Sequence, residues 1–239
     1  MSASRRARKT WGAVAAALVF VAAGYAVQSA DDPAPELAPT AAPSLATSVK
    51  LQAALQSLPV VEPGTVPGYD RSCSPGDGCV FGPSWSDDTT APLARNGCDT
   101  RNDILQESLT NVTFRPGTNE CVVESGTLLD PYTGQQVDFV KANASEVHID
   151  HLIPLAYAWR HGADQWPLDK RMAFANDPAN LRATSGSVNQ SKSDSGPEGW
   201  MPEVDQCGYA TAFATVAADY ELSITPNDRD VLAAACPAE

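Results

Sequence analysis

Apolar and polar positions change their rhythm several times along the chain, and each change predicts an element. Residues 11–30 carry no charge and consist mostly of Ala, Val, Leu and Phe. Residues 31–48 are a Pro/Ala-rich stretch whose prolines favour extended, solvated chain. Val49, Leu51, Leu55 and Leu58 give a short helix near 45–57. Residues 59–97, rich in Pro, Gly, Asp and Ser, read as irregular loop, and Asp103–Leu109 as a short helix. Two strands follow, at Cys121-Val122-Val123 and Val137–Val140. Between them Asp130-Pro131-Tyr132-Thr133-Gly134 supplies a fixed φ at proline and a permissive glycine. Glu146-Val147-His148-Ile149 alternates as a half-buried strand does.

Helices are expected from Pro154 to Arg160 and from Leu168 to Ala175, a short strand at Leu181–Thr184, and a short helix at Ser187–Lys192. Two more helices occupy 208–221 and 227–235, the second with Thr225 as N-cap and Pro226 in its first position. No internal repeat is present. Short strands mixed with helices give an α+β domain.

The ends of the chain add a destination. Arg5, Arg6, Arg8 and Lys9 precede the uncharged run, the layout of a secretory signal over residues 1–30. Cleavage after Ala26 or Ala30 suits the small residues there. The run is also about long enough to span a bilayer uncleaved. Either way the remainder faces outside, secreted or held by an N-terminal anchor. Residues 31–48 then form a linker and 49–239 the functional domain.

Outside the cytoplasm the six cysteines are expected to be oxidised. Six allow 15 pairings and the sequence does not choose among them. Local spacing favours Cys73–Cys79 around a turn, Cys98–Cys121 around one middle segment, and Cys207–Cys236 around the two C-terminal helices. Tight Cys/His clusters of the zinc-binding kind are absent from the sequence.

The formal charge of the 239 residues is −13. Losing the four basic residues of the leader takes it to −17, which by itself disfavours a nucleic-acid partner. The acid is unevenly spread. Residues 141–192 hold six basic residues against five acidic ones, while the rest of the exported chain holds six against 24.

That near-neutral segment carries the candidate chemistry. Two of the three histidines lie in His148-Ile149-Asp150-His151. A carboxylate is a good ligand for a hard cation, and a neutral imidazole beside it is a good base near neutral pH. On a strand His148 and Asp150 share a face and His151 takes the other. If the strand ends here, Asp150 and His151 both reach one cleft. An isolated Asp-His pair is more often a surface ion pair or a capped turn, so the surroundings decide.

Those surroundings are Gly97-Cys98-Asp99-Thr100-Arg101-Asn102-Asp103, Asp130-Pro131-Tyr132-Thr133-Gly134, Ile149-Asp150-His151, Phe174-Ala175-Asn176-Asp177-Pro178 with Asn180-Leu181, and Asn189-x-x-Lys192. In this order they resemble the secreted bacterial HNH (His-Me finger, ββα-metal) endonucleases related to the C-terminal domain of GmrSD-type restriction enzymes, over roughly residues 66–236.

The resemblance implies a ββα-metal centre: two antiparallel strands and a helix around one divalent ion. An extra hairpin near 121–140 and surrounding helices would complete the domain. It also implies roles. Asp150 is the first metal ligand, His151 the general base, Asn180 the asparagine that braces the loop, and Asn189 the last metal ligand. An oxygen donor at 189 suits Mg²⁺, or Mn²⁺, better than zinc. The implied reaction is hydrolysis of nucleic-acid phosphodiesters, DNA favoured, leaving 5′-phosphate and 3′-hydroxyl ends, by a monomer without stable membrane association once its signal is cleaved.

Peripheral residues stay open. Lys192 is a phosphate contact or a solvated lysine. His148 is a partly exposed strand residue, a further ligand or a phosphate contact. Arg101 is the best second phosphate contact, because a guanidinium matches phosphate oxygens in pairs. Thr100 or Asn102 could cap the following helix. Trp85, Trp159, Trp166 and Trp200 stack on bases or, for most of them, pack in the core. No separate sequence-reading module is visible. The rival readings are another metal-dependent phosphoesterase and a non-catalytic cell-surface module.

Overall fold

A computed structural model of the chain describes residues 45–236. The leader and the linker up to residue 44 lie outside them. Helix α1, Leu45–Ser57, forms where the apolar spacing predicts it. It turns Leu51 and Leu55, one helical step apart, into the interior against α6, Gln206–Asp219. α6 answers with a stripe of Tyr209, Ala210, Phe213, Ala214, Val216 and Ala217. Its small residues let the two backbones approach closely. Helix α7, Pro226–Ala234, begins with a reciprocal capping box between Thr225 and Asp228. The chain after α1 joins this layer through a parallel bridge between Val60 and Ile224. Among the described residues no helix is long and apolar enough to cross a membrane.

A second core lies under a three-stranded antiparallel sheet: β1 Leu109–Phe114, β2 Val123–Leu129 and β3 Gln136–Val140, in that spatial order. The expected hairpin is therefore β2–β3, with one further strand beside it. β1 escapes the periodicity because Asn111 sits at φ 53° and the register slips between Thr110 and Phe114. Helix α2, Thr100–Ser108, covers this sheet. Its cap is Asp99, whose carboxylate accepts the Asn102 N–H at 2.9 Å, rather than Thr100 or Asn102.

Strands β4, Val147–His151, and β5, Leu181–Ser185, form a separate antiparallel ribbon that pairs Asp150 with Arg182. Helices α3, Leu155–Arg160, and α4, Leu168–Ala175, lie between them in sequence, and α5, Gly186–Lys192, follows β5 directly. Asp130, wholly buried in the β2–β3 turn, ties sheet to ribbon. Its carboxylate accepts the Tyr132 N–H at 2.8 Å, the Thr184 hydroxyl at 3.0 Å and the Ser185 N–H at 2.8 Å. Gly134, at φ +71°, lets the chain return. Disulfides join Cys73–Cys79, Cys98–Cys121 and Cys207–Cys236, the pairing that local spacing favoured.

Candidate active site

The ribbon ends at a cavity of about 710 Å³ bordered by His148, Asp150, His151 and Asn189. β4 stops at His151, so consecutive side chains reach one cleft despite the alternation of a strand. Arg101 borders the same cavity. Asn180 and Lys192 do not.

His151 is 8% exposed, and Nε2 lies 2.9 Å from the Ala175 carbonyl. A carbonyl only accepts, so Nε2 carries the proton and Nδ1 keeps the lone pair of the neutral ring. Among the described residues Nδ1 has no hydrogen-bond partner. Trp85 stacks on the imidazole, with centroids 5.8 Å apart and planes within 9°. Burial, and then the positive charge of Arg71, hold the imidazole down at about 3. It is therefore neutral across the physiological range.

Asp150 is 4% exposed and Lys192 fully buried. The Lys192 ammonium donates to Asp150 Oδ1 at 3.0 Å and to the His151 carbonyl at 2.7 Å. The Tyr132 hydroxyl donates to Asp150 Oδ2 at 2.8 Å. Burial pushes the Asp150 carboxyl up and the Lys192 ammonium down, and each charge opposes the other's shift. Burial, joined by the Asp150 charge, keeps the Tyr132 phenol protonated. Lys192 is thus neither solvated nor open to phosphate: one turn beyond Asn189, it folds inward beneath Asp150.

Asn189 donates from Nδ2 to His148 Nδ1 at 3.1 Å, and among the described residues its Oδ1 has no hydrogen-bond partner. Asn180, 0% exposed, works on backbone. Its Oδ1 accepts the Ile153 N–H at 2.8 Å, and its own carbonyl accepts the Leu152 N–H at 2.8 Å. It fixes the two residues after His151 without touching the ring. Arg101 donates from Nη2 to the carbonyls of Ala144, at 3.1 Å, and Val147, at 2.8 Å. Part of its fork is therefore committed to positioning β4. Trp159, Trp166 and Trp200 pack with the helical core.

The donor set can be tested against a divalent ion. Each Asp150 oxygen accepts one hydrogen bond and retains a second lone pair. Asn189 Oδ1 retains both. One carboxylate and one amide oxygen suit a hard cation that keeps most of its water, as Mg²⁺ does. They do not make a cage of protein ligands. Among the described residues no group of three or more His, Cys, Asp or Glu side chains could hold a metal.

Sequence reasoning gave no role to Tyr132 or Arg71, named Trp85 only as a base-stacking or core residue, and missed the true setting of Lys192. Tyr132 stood inside a segment read as a turn and as one piece of the motif, with no role of its own. Arg71 and Trp85 lie in irregular chain, where no periodicity marks a face.

Comparisons with known proteins give the chain a family. A family model described as "GmrSD restriction endonucleases, C-terminal domain" matches residues 99–235, more than half of the chain. The match begins later than residue 66, where the motif resemblance starts. An "Uncharacterized secreted protein" of Arthroderma benhamiae is 37% identical over 139 residues, covering 56% of this chain and 65% of that protein. The chain thus spans slightly less than two thirds of that relative. This relative is eukaryotic, so the similarity is not specifically bacterial, contrary to the expectation from the motifs. No solved structure matches.

Proposed function

The chain belongs to the family of GmrSD restriction endonuclease C-terminal domains, an HNH-related family, and on that premise we propose that it is an exported, metal-assisted endonuclease. The observation that carries the reading is the His151 ring. Its Nε2–H is tied to the Ala175 carbonyl, which leaves Nδ1 as the basic nitrogen, and the residue borders a cavity shared with Asp150 and Asn189.

In this reading β4, β5 and α5 constitute the ββα-metal unit. His151 Nδ1 takes a proton from water as the water oxygen bonds to phosphorus and the bond from phosphorus to the 3′ oxygen breaks. The departing oxygen takes a proton from solvent, leaving 5′-phosphate and 3′-hydroxyl ends. Asp150 and Asn189 would hold one Mg²⁺ or Mn²⁺, which when bound screens the charge growing on the phosphate. Lys192 and Tyr132 fix the Asp150 carboxylate, as outer hydrogen bonds commonly do for ligating carboxylates. Asn180 holds the backbone that follows the base, and His148 orients the Asn189 amide. DNA is the favoured substrate, since the family is described by its restriction endonucleases. A single chain carries every group named, so a monomer suffices. The basic-then-apolar leader and a relative named as secreted support export.

Plasmid nicking tests the reading. Relaxed circles should appear with Mg²⁺, vanish with a chelator, and be lost in His151→Ala while its far-UV circular dichroism shows the variant still folded at the assay temperature. A native protein that never nicks plasmid, or nicks equally with His151→Ala, would refute it.

A further inference from the structure

Three arginines border the large cavity: Arg71, Arg101 and Arg160. Arg160 is ion-paired with Asp194 at 3.0 Å and donates to the Asp194 carbonyl at 3.3 Å. Arg101 is partly committed to two β4-side carbonyls. Arg71 differs. Among the described residues its guanidinium has neither a hydrogen bond nor an ion pair. It also borders the small second cavity beneath Trp85, and His151 borders both cavities with it.

An arginine without partners usually sits on a loose surface loop, but this one has a built mount. The Asp70 carboxylate accepts the N–H groups of Ser72, at 2.9 Å, and Gly78, at 3.0 Å. The Cys79 N–H bonds to the Ser72 carbonyl and the Val80 N–H to the Asp70 carbonyl, both at 2.9 Å, around the Cys73–Cys79 bridge. Tyr69 leans edge-on against Phe81, itself 2% exposed in the helical core. On either side, Trp159 donates to the Pro67 carbonyl at 3.1 Å, and Arg171 donates to the Val80 carbonyl. These fastenings hold a free, five-donor cation at the base's own cavity, on a protein whose formal charge is −13. Such a fork matches two phosphate oxygens at once.

We propose that Arg71 receives the phosphate under attack through paired N–H···O contacts and stabilises the charge that grows there. The strap of residues 66–98, outside the family-matched span, is then part of the active site. This rests on the nuclease reading and adds a residue to it.

The test uses the full oxidised protein with Mg²⁺ and a fluorophore-labelled DNA duplex, alongside plasmid nicking. Arg71→Ala should lower kcat about 100-fold, the usual effect of removing one preorganised donor to a developing oxyanion. KM should change by less than about threefold. Arg71→Lys should recover less than about a tenth of the loss, because an ammonium cannot form the paired contact. The thermal midpoint should hardly move, since among the described residues the guanidinium has no hydrogen bond or ion pair to lose. Arg71→Ala cutting within about threefold of the unmutated protein, or losing only KM, overturns the inference and leaves the nuclease standing. An unmutated protein that fails to nick plasmid removes both.

Discussion

Replacing Lys192 by methionine isolates the most unusual pair in the molecule. The thioether fills much of the lysine stem's volume, so packing changes little and the charge is what goes. Two bonds are lost, at 3.0 Å to Asp150 Oδ1 and at 2.7 Å to the His151 carbonyl. Asp150 then keeps one partner, the Tyr132 hydroxyl, in a site only 4% exposed. Leaving one member of a buried pair uncompensated costs about 3–5 kcal/mol. An orphaned buried carbonyl adds about 1–3 kcal/mol. Proton uptake by Asp150, already favoured by burial, limits the sum. The expected loss is therefore about 4 kcal/mol, or roughly 8–16 °C in Tm for a domain of this size. A lysine lying solvated on the surface would give less than about 0.5 kcal/mol. Urea titration with disulfides intact measures it, and Asp150→Asn in the same chain should recover more than about 2 kcal/mol, because no buried charge then stands alone. A Lys192→Met protein within about 1 kcal/mol of the parent would refute the reasoning.

Two further outcomes follow from local geometry. A Cβ on Gly186 would stand 2.3 Å from the Ser145 carbonyl oxygen and 3.1 Å from His148 Nε2. Gly186→Ala should therefore cost about 1–3 kcal/mol and reduce nicking by shifting the β5–α5 junction that carries Asn189; unchanged urea midpoint and rate would contradict this. Burial holds His151 at about 3 and His161 at about 4, both below the exposed value of about 6.5. Between those limits the unfolded chain binds more protons. The histidine contribution to stability is thus full above about pH 6.5 and is lost as pH falls toward 4 and below, with His151 alone giving up to about 1.4 kcal/mol per pH unit. Urea midpoints across that range should flatten in His151→Gln/His161→Gln, and a double variant as steep as the parent would show the sign to be wrong.

Local signals and long-range contacts divided what could be read from residues alone. α1, α4, the β4–β5 ribbon and α5 were legible because burial on one face imposes a period on the sequence. Thr225-Pro226 announced α7 through capping chemistry that needs no partner elsewhere. β1 was illegible because Asn111 at φ 53° breaks the alternation that would have marked it. Asp150, His151 and Asn189 were found as a set because their order in the chain is a motif, and the fold brings them to one cavity. Lys192 was misplaced for the opposite reason. Its position three residues after Asn189 gives a face, but only tertiary structure can say that the cavity floor, 42 residues away in sequence, lies beneath that face. Arg101 showed the same limit: its residue type suits phosphate, while two carbonyls more than 40 positions distant engage part of it.

If the chain is the exported nuclease proposed above, the placement of its three cystines bears on when it could become dangerous. None falls between Val122 and Gln206, the stretch that holds Asp150, His151 and Asn189, whereas one closes the mount of Arg71. In a thiol-rich cell interior the catalytic stretch would keep all its chemical groups while the arginine's support went slack. Full potency would then arrive only with oxidation after export, sparing the producer's own chromosome during synthesis.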